Sequence, residues 1–226
     1  MKIAFLGVRV PGHLNSMTTL ARKLKARGHD VVFLSMPDTE RFVRAAELPF
    51  VPFCENDFPV GSLAKSMDAL SKLQGQAALQ LVIKSVANTM ASAFRNLPRT
   101  LQDTNVDALV IDEIQRGLGA VPLHLGMPYV HVSCALPFDF SGNTPPCTFD
   151  WQHETTPEAL ARNRAGVRSL LQTYEPITYV AHAYAKKVGL DVDWTDPFAT
   201  ISKLAWLTQM PEEFNLSPQP LTSSIS

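Results

Sequence analysis

His13, which follows Gly12 near the amino terminus, and the adjacent carboxylates Asp112 and Glu113 are the residues of this chain best suited to proton transfer. An imidazole takes a proton from a hydroxyl when one ring nitrogen is free and a carboxylate orients the other. His13 falls at the first turn of a helical pattern, where the positive end of the helix dipole disfavours protonation and keeps the ring neutral. Asp112 and Glu113 end the apolar run ALVI, at the edge of a parallel sheet where His13 must also lie. Alternation turns one of the two acids toward His13, and the sequence leaves open which. Two plainer roles compete: a histidine that only packs its loop, and an acid that only caps the following turn.

Other chemistries fail on their motifs. Gly7 and Gly12 have the glycine spacing of a P-loop, but His13 and Leu14 stand where the phosphate-binding lysine and the magnesium-binding hydroxyl belong. GVRVPGHL does not contain GxGxxG, so a dinucleotide cofactor is not expected, and no group is expected to be tightly bound. There is no GxSxG elbow for a serine nucleophile. Cys134 beside His131 reads as strand core, and His124, His153 and His182 lack paired-ligand spacing, so no metal site is expected.

The elements that must carry these residues alternate. Ile3 to Leu6 reads as a strand, 7–12 as a loop, Leu14 to Leu24 as an amphipathic helix ended by Gly28, and Val31 to Leu34 as a second strand. A short helix over 37–46 and a strand over 48–53 follow. Residues 63–101 read as mostly helical, with a break near Gly75 and an end at Pro98. Strands are expected over 106–111, 127–134 and 201–208, and helices over 117–125 and from Thr156 toward Leu190 with a break or kink at Pro176. The pattern predicts an α/β fold, a Rossmann-like doubly wound parallel sheet with helices on both faces. One domain over 1–210 and a polar Pro/Ser-rich tail over 211–226 are expected.

Composition narrows the partners. Over 226 residues, 20 basic and 21 acidic side chains leave a formal charge of −1, with no basic cluster for a phosphate backbone, so no nucleic acid is expected. The cysteines Cys54, Cys134 and Cys147 are odd in number and lack CxxC spacing, which suits the cytoplasm. No run reaches the roughly 18 apolar residues of a spanning helix. The nearest, 77–94, is interrupted by Gln80, Lys84, Ser85, Asn88 and Ser92 and reads as a buried helix.

Three stretches together carry a resemblance: GHLNSMTTLARKLKARGHDVVFLSMPD at 12–38, AAELPFVPF at 45–53 and DALVIDEIQRGLGAVPLHLGMPYVHVSCALP at 107–137, with ISKLAWLTQMPEEF near the end. The chain resembles the N-terminal, acceptor-binding domain of the UDP-dependent glycosyltransferases of family 1 and GT-B fold, on the macrolide and zeaxanthin glucosyltransferase branch. The resemblance implies that His13 is the general base and Asp112 its partner, and that Gly12 lies near the donor sugar. It further implies inverting transfer of a hexose from a UDP-sugar, UDP-glucose foremost, to a hydroxyl. The second, donor-binding domain of that family has no counterpart here, so a partner supplying it in trans is expected. An apolar, hydroxylated small molecule is the expected acceptor, contacted by Phe58, Met67, Leu79, Ile83, Met90, Phe138, Phe140 and Trp151. The alternatives are a non-catalytic module that binds apolar small molecules, and a different nucleotide-dependent enzyme on the same fold.

Overall fold

The computed structural model describes residues 1–136 and 138–209; the tail expected at 211–226 lies outside the described residues. Six strands form one sheet: β1 (Lys2–Leu6), β2 (Asp30–Ser35), β3 (Phe50–Pro52), β4 (Ala108–Asp112), β5 (Tyr129–Ser133) and β6 (Trp206–Thr208). Their order is β3-β2-β1-β4-β5-β6, and every neighbouring pair is parallel. This is the doubly wound arrangement expected from the sequence. The order reverses between β1 and β4, and such a reversal opens a crevice at the carboxyl ends of the strands.

Both faces of the sheet are covered, which is why the strands are nearly continuous apolar runs. Phe5, Val31, Phe33, Val110 and Val132 face α1 (Pro11–Ala26) and α2 (Glu40–Ala45), meeting Leu14, Met17, Ala21 and Val43. The alternate residues Ala4, Leu6, Val32, Leu34, Leu109 and Ile111 face the other way. They pack on α4 (Gly75–Thr104), α5 (Ala120–Leu125) and α7 (Glu175–Val188) through Phe94, Leu97, Leu101, Val121 and Tyr184. The short α3 (Ser62–Ser71) and α6 (Pro157–Thr173) complete the helices. Thr156 caps α6 by accepting from the Ala159 amide, and Pro176 sits in the first turn of α7, so the expected interruption falls at Tyr174 between the two helices. Among the described residues, no helix is long and apolar enough to cross a membrane.

Several boundaries differ from the sequence expectation, most by a residue or two and some for a clear physical reason. The helix after β1 begins at Pro11, so Gly12 and His13 lie inside its first turn; proline is preorganised for that position and lacks the amide that would go unsatisfied. Pro98 does not end α4, which continues to Thr104. Phe94, Leu97 and Leu101 are buried at helical spacing across the proline, and their burial, ~1.5–3 kcal/mol each, outweighs a mid-helix proline cost of ~3 kcal/mol. The helix ends instead at Asn105, whose φ of 50° breaks the helical path. The last strand is only Trp206–Thr208 because 200–205 bonds through side chains: Ser202 Oγ donates to the Tyr129 carbonyl and the Ser202 amide to His131 Nδ1. The third strand is Phe50–Pro52, shorter than expected, although the flanking Phe53 amide still donates to the Ser35 carbonyl at 3.1 Å.

Two glycines separate close packing from open surface. A Cβ on buried Gly119 would meet the Thr200 carbonyl at 2.1 Å, whereas one on Gly12 meets nothing within 4 Å. Gly119→Ala should lower the urea unfolding midpoint by the equivalent of ~1–3 kcal/mol, the usual range for overpacking. Gly12→Ala, at an exposed helical position, should hold or raise stability by up to about 1 kcal/mol. Equal midpoints for the two variants would contradict this packing.

Candidate active site

His13 and Asp112, 99 residues apart in sequence, meet across the crevice. His13 Nδ1 lies 2.7 Å from Asp112 Oδ2. The strands dictate this: Leu6 pairs with Ile111, so the residues that follow, Gly7 and Asp112, stand side by side where β1 and β4 end. Alternation selects the aspartate. Val110 packs toward α1, so Asp112, two residues on, shares that face, whereas Glu113 shares the opposite face with Ile111. The choice left open by the sequence thus follows from which core Val110 joins.

The approach of α1 depends on Gly7. A Cβ there would lie 2.5 Å from the Phe33 ring. The Gly7 amide donates to the Leu34 carbonyl at 3.2 Å and its carbonyl accepts from Ser35 Oγ at 3.0 Å, which pins the loop to β2. Leu14 and Met17 then fix the rotation of α1 and with it the direction of His13.

Asp112 performs the capping role and the orienting role at once, with different oxygens. Oδ1 accepts from the Ile114 amide at 3.1 Å, capping the 3₁₀ turn Glu113–Gly119, while Oδ2 faces His13. The Asp112 side chain is 1% exposed and that of His13 17%. The hydrogen bond to Asp112 raises the His13 pKa above its ordinary value against the opposing effect of burial, with further support from the charges of Asp112 and Glu113. The helix dipole, expected from the sequence to disfavour protonation, is outweighed, because a carboxylate at contact distance acts more strongly than the partial charge of a helix end. The neutral ring donates from Nδ1 to Asp112 and leaves Nε2 as the proton acceptor.

Cys134 completes a cluster that holds three ligand-type atoms within 4.8 Å of one another. Burial pushes its thiol up to about 12, and the neighbouring Asp112 carboxylate favours the protonated form. A metal bound here would have to displace that proton and the His13–Asp112 hydrogen bond. His131 belongs to another environment. Wholly buried beneath 200–205, it accepts from the Ser202 amide, and burial and the Arg116 charge push its pKa down to about 3.

Two cavities flank the crevice. One, of about 580 Å³, lies between α4, α7 and residues 194–200; the other, of about 480 Å³, lies between α3, α4 and the loop after β1. Leu79, Ile83, Met90 and Phe138 line the first and Met67 the second. Val82, Val86 and Ile114 line both. His13 and Asp112 line neither; Ile114 joins them to the cavities, since its amide holds Asp112.

The other expected contact residues are placed elsewhere. Phe58 packs against the core under the Arg9 guanidinium, and Phe140 stacks on Phe138 and tilts against Phe198. Trp151 stacks on Phe149 and covers Gly166 of α6. Sequence reading missed Val82, Val86, Ile114 and Arg116. Helical spacing from Leu79 and Ile83 would have supplied the valines, and the position just past Asp112 the other two.

Comparison with known proteins supports the resemblance read from the sequence. The chain is 28% identical over 153 residues to a zeaxanthin glucosyltransferase of Pantoea ananas, covering 68% of this chain and 35% of that protein. It is 24% identical over 178 residues to the zeaxanthin glucosyltransferase of Pseudescherichia vulneris, covering 79% of this chain and 42% of that one. The chain thus spans well under half the length of these curated relatives. The solved spinosyn forosaminyltransferase SpnP superposes with a TM-score of 0.58 at 19% identity, covering 96% of this chain and 48% of that one. The glycosyltransferase VinC in complex with dTDP gives 0.55 at 16% identity, covering 92% and 48%. These structures share the fold of this chain, each being matched over about half of its own length. No protein-family profile matches the chain.

The half-buried imidazole of His13 and the buried one of His131 have opposite pH signatures. Because the folded pKa of His13 is raised, its pairing stabilises the fold below the unfolded value of about 6.5, and that contribution is lost as pH rises through the folded value. His131, depressed to about 3, acts the other way: stability is lost as pH falls below about 6.5, because only the unfolded chain takes up that proton. In an NMR titration His13 should show a midpoint above 6.5, and Asp112→Asn should move it down, while His131 stays neutral to the acid unfolding limit. A His13 midpoint unmoved by Asp112→Asn would contradict the pairing.

Proposed function

We propose that this chain is the acceptor-binding half of an inverting, UDP-sugar-dependent glycosyltransferase that places a hexose on a hydroxyl of a hydrophobic small molecule. The observation that carries this reading is the 2.7 Å hydrogen bond between His13 and Asp112 at the strand-order reversal, beside two cavities walled largely by apolar side chains. The similarity to two zeaxanthin glucosyltransferases supports sugar transfer and a greasy acceptor. A neighbour of the same fold solved with dTDP supports a nucleotide-sugar donor, for which UDP-glucose is our choice.

In this mechanism, His13 Nε2 takes the proton of the acceptor hydroxyl while Asp112 holds the opposite nitrogen and stabilises the imidazolium. The acceptor oxygen forms its bond to the anomeric carbon from the face opposite UDP. The bond to the diphosphate breaks, its electron pair leaves with UDP, and the product is a β-glycoside. Positioning supplies much of the acceleration, with the matched base contributing the rest. Gly12, one residue before the base and exposed, leaves room for the donor sugar. The donor itself is held by a second, donor-binding domain, and the chain works in the cytoplasm, where its unpaired cysteines suit a reducing setting.

One observation favours a second reading. Neither cavity includes His13 among its lining residues, as a binding module without chemistry would also show. Transfer separates the two. When the chain is combined with the donor domain of a related zeaxanthin glucosyltransferase, UDP-glucose and a hydrophobic alcohol, a β-glucoside should form. His13→Ala should lower kcat by about 10²–10⁴-fold, the usual contribution of a positioned base, with little change in acceptor affinity. Unchanged turnover in His13→Ala would remove the base assignment; acceptor binding without any transfer would favour the module.

A further inference from the structure

The larger cavity contains one feature that an apolar acceptor does not explain. Arg116, in the 3₁₀ turn that Asp112 caps, lines it among Leu79, Val82, Ile83 and Met90. Its placement is fixed: Nε donates to the Pro197 carbonyl at 3.1 Å, and its own carbonyl accepts from Thr200 Oγ1 at 2.8 Å. The guanidinium carbon lies 5.5 and 5.1 Å from the ring centroids of Phe138 and Phe140, and among the described residues no hydrogen-bond acceptor meets the terminal guanidinium nitrogens. Burial pushes its pKa below the ordinary arginine value, yet an arginine keeps its charge.

The charge of Glu113 acts on it, but no carboxylate among the described residues reaches it at ion-pair distance. Among the described residues, none of the ion pairs includes Arg116. Glu113, the nearest acid by its influence, gives one oxygen to the Ser133 hydroxyl, and burial raises its pKa toward the neutral form. Glu175 and Asp196 also line the cavity but are exposed at its rim, where water screens them. A largely buried cation with no carboxylate at ion-pair distance among the described residues is costly to a fold, and such a group lining a cavity points to a binding site.

We propose that Arg116 is a specificity-determining residue for an anionic oxygen pair on the ligand of this cavity, a carboxylate carried by the acceptor in addition to the hydroxyl that is glycosylated. This deepens the acceptor reading above and rests on it. A carboxylate entering along the apolar wall accepts from the two terminal guanidinium nitrogens in the bidentate geometry arginine favours. The ligand's apolar body then covers Ile83 and Met90, and its far end leads past Ile114 toward His13. A diphosphate offers similar oxygens, so the test must separate an acceptor carboxylate from the donor.

The probes are 12-hydroxydodecanoate, 1,12-dodecanediol and inorganic pyrophosphate, titrated calorimetrically into the chain. The hydroxy acid should bind at least tenfold more tightly than the diol. Arg116→Gln should abolish that preference and Arg116→Lys should restore part of it, which guards against a merely misfolded glutamine variant. Quenching of Trp194, which lines the same cavity, should accompany binding of the acid. Absence of an Arg116-dependent preference, including failure of either compound to bind, would overturn the proposal. So would pyrophosphate binding that is lost in Arg116→Gln, which would assign the guanidinium to the donor. The titration needs no donor domain and no turnover, so the anion site can fail while the His13 base stands, and the reverse.

Discussion

The hydrogen bond between His13 and Asp112 exists because β1 and β4 are neighbours whose following segments diverge. β1 leads into α1 on one face of the sheet, and β4 leads into a 3₁₀ turn at the same edge. Each strand end would be unremarkable by itself. Their adjacency puts a helix-borne imidazole against a buried carboxylate, and the register that matches Leu6 with Ile111 sets the height at which they meet. Gly7 lets the loop pass under the Phe33 ring, Pro11 starts the helix early enough to carry His13, and Leu14 and Met17 fix its rotation. Most of the amino-terminal packing can be read as holding one 2.7 Å contact in place.

The same edge divides the labour of two adjacent acids. Asp112 follows Val110 onto the α1 face and serves the histidine; Glu113 follows Ile111 onto the opposite face and meets Ser133. One residue of alternation separates a carboxylate that stabilises an imidazolium from one that burial drives toward its neutral form. The turn that starts at these acids continues to Ile114 and Arg116, which border the cavities. The dyad and the cavity linings are thereby linked through a single short segment, Glu113–Gly119, held by Asp112 at its start and by Thr200 and Pro197 along its length.

Much of this was legible in the sequence because its signals are local. Alternating strands and amphipathic helices gave the sheet class, and a histidine and an acid at strand ends gave the dyad. What was not legible depends on contacts between distant segments. Pro98 reads as a helix end unless it is known that Phe94, Leu97 and Leu101 are buried on the same face. The run 201–208 reads as a strand, but side chains of Ser202 and Thr200 capture most of it over the end of β5. The packing partners of Phe58, Phe140 and Trp151, a guanidinium, rings and a helix of the same chain, are likewise set by distant segments. The raised pKa of His13 was not legible for the same reason, since the helix dipole is visible in sequence and the distance to Asp112 is not.

The proposed function requires a His13 ring whose basicity is set by Asp112 and expressed in the rate. The most direct measurement is the pH dependence of kcat/KM for sugar transfer by the chain and its donor domain, set beside the His13 titration of the same protein. The rate should rise with pH through a midpoint above 6.5 that coincides with that titration, and Asp112→Asn should move both midpoints to lower pH together. A rate profile that stays put while the His13 midpoint moves would show that another group takes the proton.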